Sequence, residues 1–366
     1  MRKINLFLAA TAIALCSCSN DETLEVNTGK GIAFNVTAGK SQRATVITTS
    51  TIGEFQVFGY SGTTTFMNAN VKKDGDKWSY SPVQFWPNEG TIDFYSVYPC
   101  TDTTLGGTIS ITADAQQIKD FTVNSTCASQ VDLLYAVNKG CTKADNETTG
   151  VPVNFRHALS QIVFKAKNTN STLRVDVQGV EVVNVANKGT FTYPAATTAE
   201  WLSTDNSTDT ETDNTWGSWE LTADKVNFVA DITANTAIPA DATDLTTVGS
   251  PLLLLPQTIT PWDTTDTKND ANGCYFLVKC KIYNKAADGG ETLLWPETDA
   301  YANVAVPATA IDWKQGKKYI YTFIFGEGGG YVPPTEEEDP SEPVLVPISF
   351  TVTVDEFQSA DEIEVK

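Results

Sequence analysis

The sequence has one histidine, His157, in 366 residues, and that scarcity removes most nucleophilic and metal chemistry at once. Any Ser/His/Asp or Cys/His arrangement would have to use it. It lies between Phe155 and Leu159 in a strand-like run, where the expected role is a core residue hydrogen-bonded at a domain junction. No CxxC pair follows residue 18, so a zinc site lacks its ligands. Long Leu/Glu/Lys helical patterns are missing, and no glycine-rich loop precedes a helix; Gly328-Gly329-Gly330 belongs to a linker. Bases are few, with 25 Lys and Arg against 45 Asp and Glu, for a formal charge of −20. That balance disfavours nucleic acid and anionic membrane surfaces, which select basic patches. Carboxylates are plentiful, but no converging pair with glycosidase spacing can be read from sequence. The expectation is no enzyme activity, no cofactor and no metal.

What the chain does have is short apolar-alternating runs separated by Gly, Asn, Asp and Pro. EFQVFGY (54–60), TIDFYSVYP (91–99), ALSQIVFKAK (158–167), TLRVDVQGVEVVNV (172–185), KVNFVAD (225–231) and YIYTFIF (319–325) are examples. Their period of two predicts antiparallel β-sandwiches, an all-β fold. DNSTDTETDNTWGS (205–218) reads as a polar loop, and helix is expected only in short pieces such as SQVDLLYAV (129–137). The length allows two domains. A composition shift at NKGCTKADNETTG (138–150) sets a first domain at 18–152 and a second at 153–325. Five cysteines follow residue 18, an odd number that cannot all pair within one chain. Cys274 and Cys280 sit in one strand-like run, roughly 20 Å apart when extended, beyond disulfide reach.

The first residues, MRKINLFLAATAIALCSCSNDE, stand outside this pattern. Arg2 and Lys3 precede an apolar stretch from Ile4 to Leu15, too short to span a bilayer. Leu15-Cys16-Ser17-Cys18 resembles a bacterial lipobox. Cys18, behind the small Ser17, is the expected lipidation site, with 1–17 as the signal peptide and a lipid anchor as the result.

Both ends of the remaining chain carry similar amphipathic strands. Ile32, Phe34 and Val36 alternate near the N-terminus, and Ile348, Phe350, Val352 and Val354 near the C-terminus, in a segment spanning 347–366. After the first strand, Arg43-Ala44 forms a trypsin-like cleavage point in a polar stretch. Before the second runs a linker, 326–346, with six acids and no base, expected to be extended by self-repulsion and proline stiffness.

Several motifs carry a resemblance. Trp78-x-Tyr80-Ser-Pro82, Phe85-Trp86-Pro87, Asp93-Phe94-Tyr95 and Tyr98-Pro99 resemble the N-terminal domain of the fimbrillin family. Phe155-x-His157-Ala158-Leu159-Ser160-x-Ile162 resembles the opening strand of that family's second domain. Leu254-Leu255-Pro256-Gln257 and Trp313-x-x-Gly316-x-x-Tyr319-x-Tyr321-x-Phe323 are similar to its later motifs. The resemblance implies two transthyretin-like β-sandwich domains and a surface lipoprotein precursor of Bacteroidales fimbriae, held at the outer membrane by its lipid. It also implies assembly with other fimbrial subunits by strand exchange. A protease would cut after Arg43 and remove the Ile32–Val36 strand, and a neighbour's Ile348–Val354 strand would fill the groove. The physics of such exchange is β-augmentation: backbone ladders for affinity, alternate side chains for burial. Ser19-Asn20-Asp21-Glu22 resembles the acidic tract that sends lipoproteins of that group to the surface. Asp102-Thr103-Thr104 and Asp263-Thr264-Thr265 resemble its O-glycan acceptor pattern. The competing expectation is a non-polymerising surface lipoprotein that binds glycans, host or bacterial, through aromatics on an exposed sandwich face.

Overall fold

The computed structural model describes residues 26–38, 50–194, 216–265, 273–326, 330–334 and 348–356. Cys18, Arg43 and Ala44, and most of the acidic linker, lie outside them. The regular structure of the described residues is almost entirely strand, as the period of two predicts. The first part of the chain supplies β1 (Val26–Gly31), β2 (Phe34–Ala38), β3 (Glu54–Ser61), β4 (Thr64–Asp74), β5 (Lys77–Ser79), β6 (Phe85–Pro87), β7 (Ile92–Tyr98), β8 (Thr108–Ile111), β9 (Gln116–Thr122), β10 (Leu134–Cys141) and β11 (Val151–His157). Seven of these form one sheet in the order β2-β11-β10-β7-β3-β4-β5, and β1 pairs with β6. Every contact in the seven-stranded sheet is antiparallel except β2–β11, which is parallel.

The second part supplies β12 (Ser160–Asn168), β13 (Leu173–Ala186), β14 (Lys188–Thr192), β15 (Ser218–Leu221), β16 (Lys225–Val229), β17 (Thr243–Asp244), β18 (Leu252–Leu254), β19 (Gln257–Ile259), β20 (Tyr275–Lys285), β21 (Glu291–Trp295), β22 (Ala302–Pro307), β23 (Ile311–Trp313), β24 (Lys317–Phe325) and β25 (Ile348–Glu356). One sheet runs β17-β12-β24-β25 with β18 also on β12. Another runs β16-β13-β20-β21 with β22 also on β20. The last strand of the first sheet, β11, therefore ends at His157. A third sheet, β15-β14-β9-β8, joins a hairpin of the first part to strands of the second. Its seam pairs Gly189 with Phe121 and Phe191 with Ile118.

Two apolar cores follow from this layering. The first holds Ile32, Phe34, Val36, Phe55, Val57, Trp86, Phe94, Leu134, Val153 and Phe155. The second runs from Val97, Ile118 and Tyr135 through Phe191 to Phe276 and Phe323. Strand β10 separates them: Leu134 and Ala136 face the first core, Leu133, Tyr135 and Val137 the second. Residues 129–137, expected to be helical, form a 3-10 turn at Cys127–Ser129 and then β10. All five residues of LLYAV are fully buried, so the alternation that marks a one-sided strand is absent.

Cys274 and Cys280 are free thiols in the second core, and burial pushes each up to about 12, so neither is a reactive thiolate at neutral pH. Among the described residues no helix is long and apolar enough to cross a membrane.

Candidate functional site

The N-terminal strand is an edge strand whose side chains belong to the core. In β2 and just before it, Ile32, Phe34 and Val36 are 3%, 7% and 6% exposed, while Ala33 and Asn35 face solvent. Phe34 sits inside an aromatic cage, with ring centroids 5.9 Å from Phe55, 5.7 Å from Phe94 and 5.7 Å from Tyr80. Edge-on packing of this kind adds to simple burial. On one side the backbone is held at Ile32: its amide donates to the Gln84 carbonyl at 2.8 Å, and its carbonyl accepts from the Tyr80 hydroxyl at 2.9 Å. On the other side β2 matches β11 from Phe34↔Val151 to Ala38↔Phe155. The Val151 amide donates to the Ala33 carbonyl at 2.8 Å. Gly150 makes that approach possible, because its φ is +78° and a Cβ there would stand 3.0 Å from the Ala33 oxygen.

At the other terminus, β25 lies on the free side of β24 in its own chain. Nine pairs run from Phe325↔Ile348, through Phe323↔Phe350 and Tyr321↔Val352, to Lys317↔Glu356. Val352 is partly buried against the second core, whereas Thr353 and Val354 are exposed, Val354 at 51%. Among the described residues the backbone of β25 pairs only with β24. The expected linker is not free along its whole length. Tyr331 exchanges two backbone hydrogen bonds with Ala305, each 2.8 Å, and Val332 packs on the second core.

Between the two terminal strands lies a polar junction. His157 is 1% exposed and its Nδ1 lies 3.0 Å from Asp132, in keeping with the core role expected for it. Beside it the buried Arg156 guanidinium lies 4.5 Å over the Trp216 ring. The Tyr135 hydroxyl donates to Gln315 Oε1 at 3.2 Å and accepts from the Gly217 amide at 3.0 Å. The Trp219 indole donates to the Ala158 carbonyl at 2.8 Å. These contacts tie β10 and β11 to the loops before β15 and β24.

The late aromatic motif has a local explanation. Gly316 takes a φ of +69° at the turn between β23 and β24. Around it Trp313 Nε1 donates to the Tyr321 hydroxyl at 2.9 Å, and the Tyr319 hydroxyl donates to the Asp312 carbonyl at 2.8 Å. Gln257 acts as a surrogate strand residue, accepting from the Ala186 amide at 2.9 Å and donating to its carbonyl at 3.2 Å.

Three of the partly exposed aromatic rings have cations over them. Arg174 lies 4.1 Å from the Tyr283 centroid, Lys281 5.0 Å from Tyr301 and Lys73 5.7 Å from Trp78. Arg174 is also paired with Asp176 at 2.8 Å and with Glu291.

Comparison with known proteins bears on these features. The model of the fimbrillin-like family matches residues 42–353. Fimbrium subunit Fim1C of Phocaeicola vulgatus is 26% identical over 211 residues, covering 49% of this chain and 56% of that protein. The chain thus spans little more than half the length of that curated relative. The crystal structure of a fimbrial protein from Bacteroides vulgatus has a TM-score of 0.60 at 16% identity, covering 90% of this chain and 100% of the other, a likeness of fold.

Proposed function

The chain belongs to the fimbrillin-like family, and on that premise we propose that it is a structural or adhesive subunit of a cell-surface fimbria, joined to its neighbours by strand exchange. The observation that carries this reading is the burial of Ile32, Phe34 and Val36 on and beside a strand at the edge of its sheet. Each large apolar side chain contributes roughly 1.5–3 kcal/mol when fully buried. Loss of the strand would therefore open a groove lined by Phe55, Tyr80 and Phe94 beside the bare edge of β11. Parallel pairing is slightly weaker per residue than antiparallel, so the β2–β11 contact favours replacement by an incoming strand of opposite sense.

The C-terminal strand is suited to be that replacement. It repeats the Ile-x-Phe-x-Val series, and its backbone sits at a sheet edge against β24. Release from β24 would have to precede its transfer to a neighbour. A contact of this head-to-tail kind does not close on itself and makes a fibre. Export follows from the first residues: a lipid on Cys18 would hold the precursor at the outer membrane until cleavage after Arg43 detaches the N-terminal strand and its anchor together.

The glycan-binding alternative needs open aromatic faces, and the cations over Tyr283, Tyr301 and Trp78 argue against those three rings. Electron microscopy of the purified precursor before and after limited trypsin digestion tests the proposal. Fibres should form only after cleavage, with subunits beginning at Ala44 and the released fragment carrying lipid on Cys18. Fibres that retain residues 19–43 would overturn the cleavage step, and no fibres under any condition would overturn the subunit reading.

A further inference from the structure

The seven-stranded sheet has two edges, β2 and β5, and both line one groove. Phe34 and Val36 stand on one wall, and Lys73, Asp76, Lys77 and Trp78 of the β4–β5 hairpin on the other, around a volume of about 510 Å³. The sheet therefore curls until its edges face each other. Among the described residues, β2 pairs only with β11 and β5 only with β4. Unpaired edges expose a row of N–H and C=O groups that template another strand, and here two such rows share one gap. In a strongly acidic chain the wall of this gap carries Lys73 and Lys77 against the single carboxylate of Asp76, an excess of positive charge.

We infer that this groove is a landing site for the C-terminal strand of a second copy, Ile348–Glu356, added beside β2 while the N-terminal strand is still in place. The inference rests on the fimbrial reading and adds a step to it. An extended segment is the occupant that two facing sheet edges select, because it can form a backbone ladder there. The C-terminal strand suits this groove in particular, since its apolar alternation ends in Asp355-Glu356, behind a linker that is itself acidic. Those carboxylates complement Lys73 and Lys77, which would steer the encounter and make it sensitive to salt. Arrival before departure keeps the first core covered throughout the exchange.

The test is fluorescence anisotropy with a labelled peptide of residues 345–358, titrated into the full chain before and after trypsin treatment. The uncleaved chain should bind, and the affinity should fall at least tenfold with the Lys73→Glu/Lys77→Glu double variant at unchanged melting temperature. A peptide carrying Asp355→Lys and Glu356→Lys should bind wild type poorly and recover on the double variant. That charge swap separates a lost contact from a damaged fold. Binding seen only after cleavage overturns the landing site while leaving strand exchange intact. Binding indifferent to both charge reversals, or displaced by a neutral oligosaccharide, also overturns it. Absence of binding in both forms removes the exchange reading as well.

Discussion

Replacing Phe34 by Ala isolates the energetics of the N-terminal strand. The ring is 7% exposed and in contact with Phe55, Tyr80 and Phe94. Truncating a buried Phe to Ala costs about 3–5 kcal/mol, and an edge strand can relax into part of the cavity, so about 3 kcal/mol is expected. If β2 opens as its own unit, that loss raises its open population roughly a hundredfold. Hydrogen exchange reads this directly, because the Val151 amide is bonded to the Ala33 carbonyl of the same strand. Exchange at Val151 should accelerate by about that factor, while amides in the β13–β20 ladder, such as Val180 and Val182, stay as protected as before. After cleavage at Arg43, the Phe34→Ala fragment should also dissociate faster on gel filtration. Equal loss of protection at Val151 and Val182 would mean that the strand comes away only on global unfolding. No change at Val151 would mean that it is not held by its side chains. Either result defeats the view of β2 as a detachable element.

The companion substitution Gly150→Ala places a Cβ 3.0 Å from the Ala33 oxygen at a φ of +78°. A cost of about 1–2 kcal/mol is expected, again confined to the Val151 amide. In the C-terminal strand, Phe350→Asp should abolish the oligomer ladder on gels and release β25 from β24, with the remaining circular dichroism preserved. Thr353→Asp, at an exposed position, should leave both unchanged. Normal polymerisation or an unfolded Phe350→Asp protein would make β25 an ordinary strand of its own sheet. At alkaline pH, burial raises Tyr95 to about 12 and Tyr193 well above its usual 10.0, and lifts the Cys274 and Cys280 thiols from 9.0 to about 12. The folded state keeps these protons after the unfolded chain has lost them. Stability should thus be undiminished below about pH 9 and decline as pH climbs toward 12, read from thermal melts together with tyrosinate absorbance. A flat profile across that window would contradict the burial assignments.

Strands with one solvated face were legible from period alone, as in β3, where Phe55 and Val57 are buried and Gln56 is half-exposed. The LLYAV run was not, because a strand between two cores has no polar face to mark it. Trp216 was hidden by its neighbourhood, the last aromatic of a polar tract, yet it is 9% exposed and covers Arg156. Nothing local in 330–334 announced that Tyr331 would bond to Ala305. The parallel register of β2 on β11 and the pairing of β9 with β14 are contacts between distant segments, and side-chain period carries no information about partners. The candidate strands at both termini were legible as amphipathic segments. Which sheet edge each one occupies was not.

The β8–β9 hairpin limits how such a chain can be recombined. A crossover at the composition shift near residue 150 would place Ile118 and Phe121 from one parent against Gly189 and Phe191 from another. The tolerance there is narrow: Phe191 packs edge-on with its ring centroid 4.5 Å from that of Tyr135, and a Cβ on Gly189 would stand 2.8 Å from the Glu220 carbonyl oxygen. Chimeras that exchange residues 108–122 and Tyr135 together with everything after 158 keep that seam matched. Exchanges of either half alone split a sheet between two ancestries, so variation in one half is selected in the company of the other.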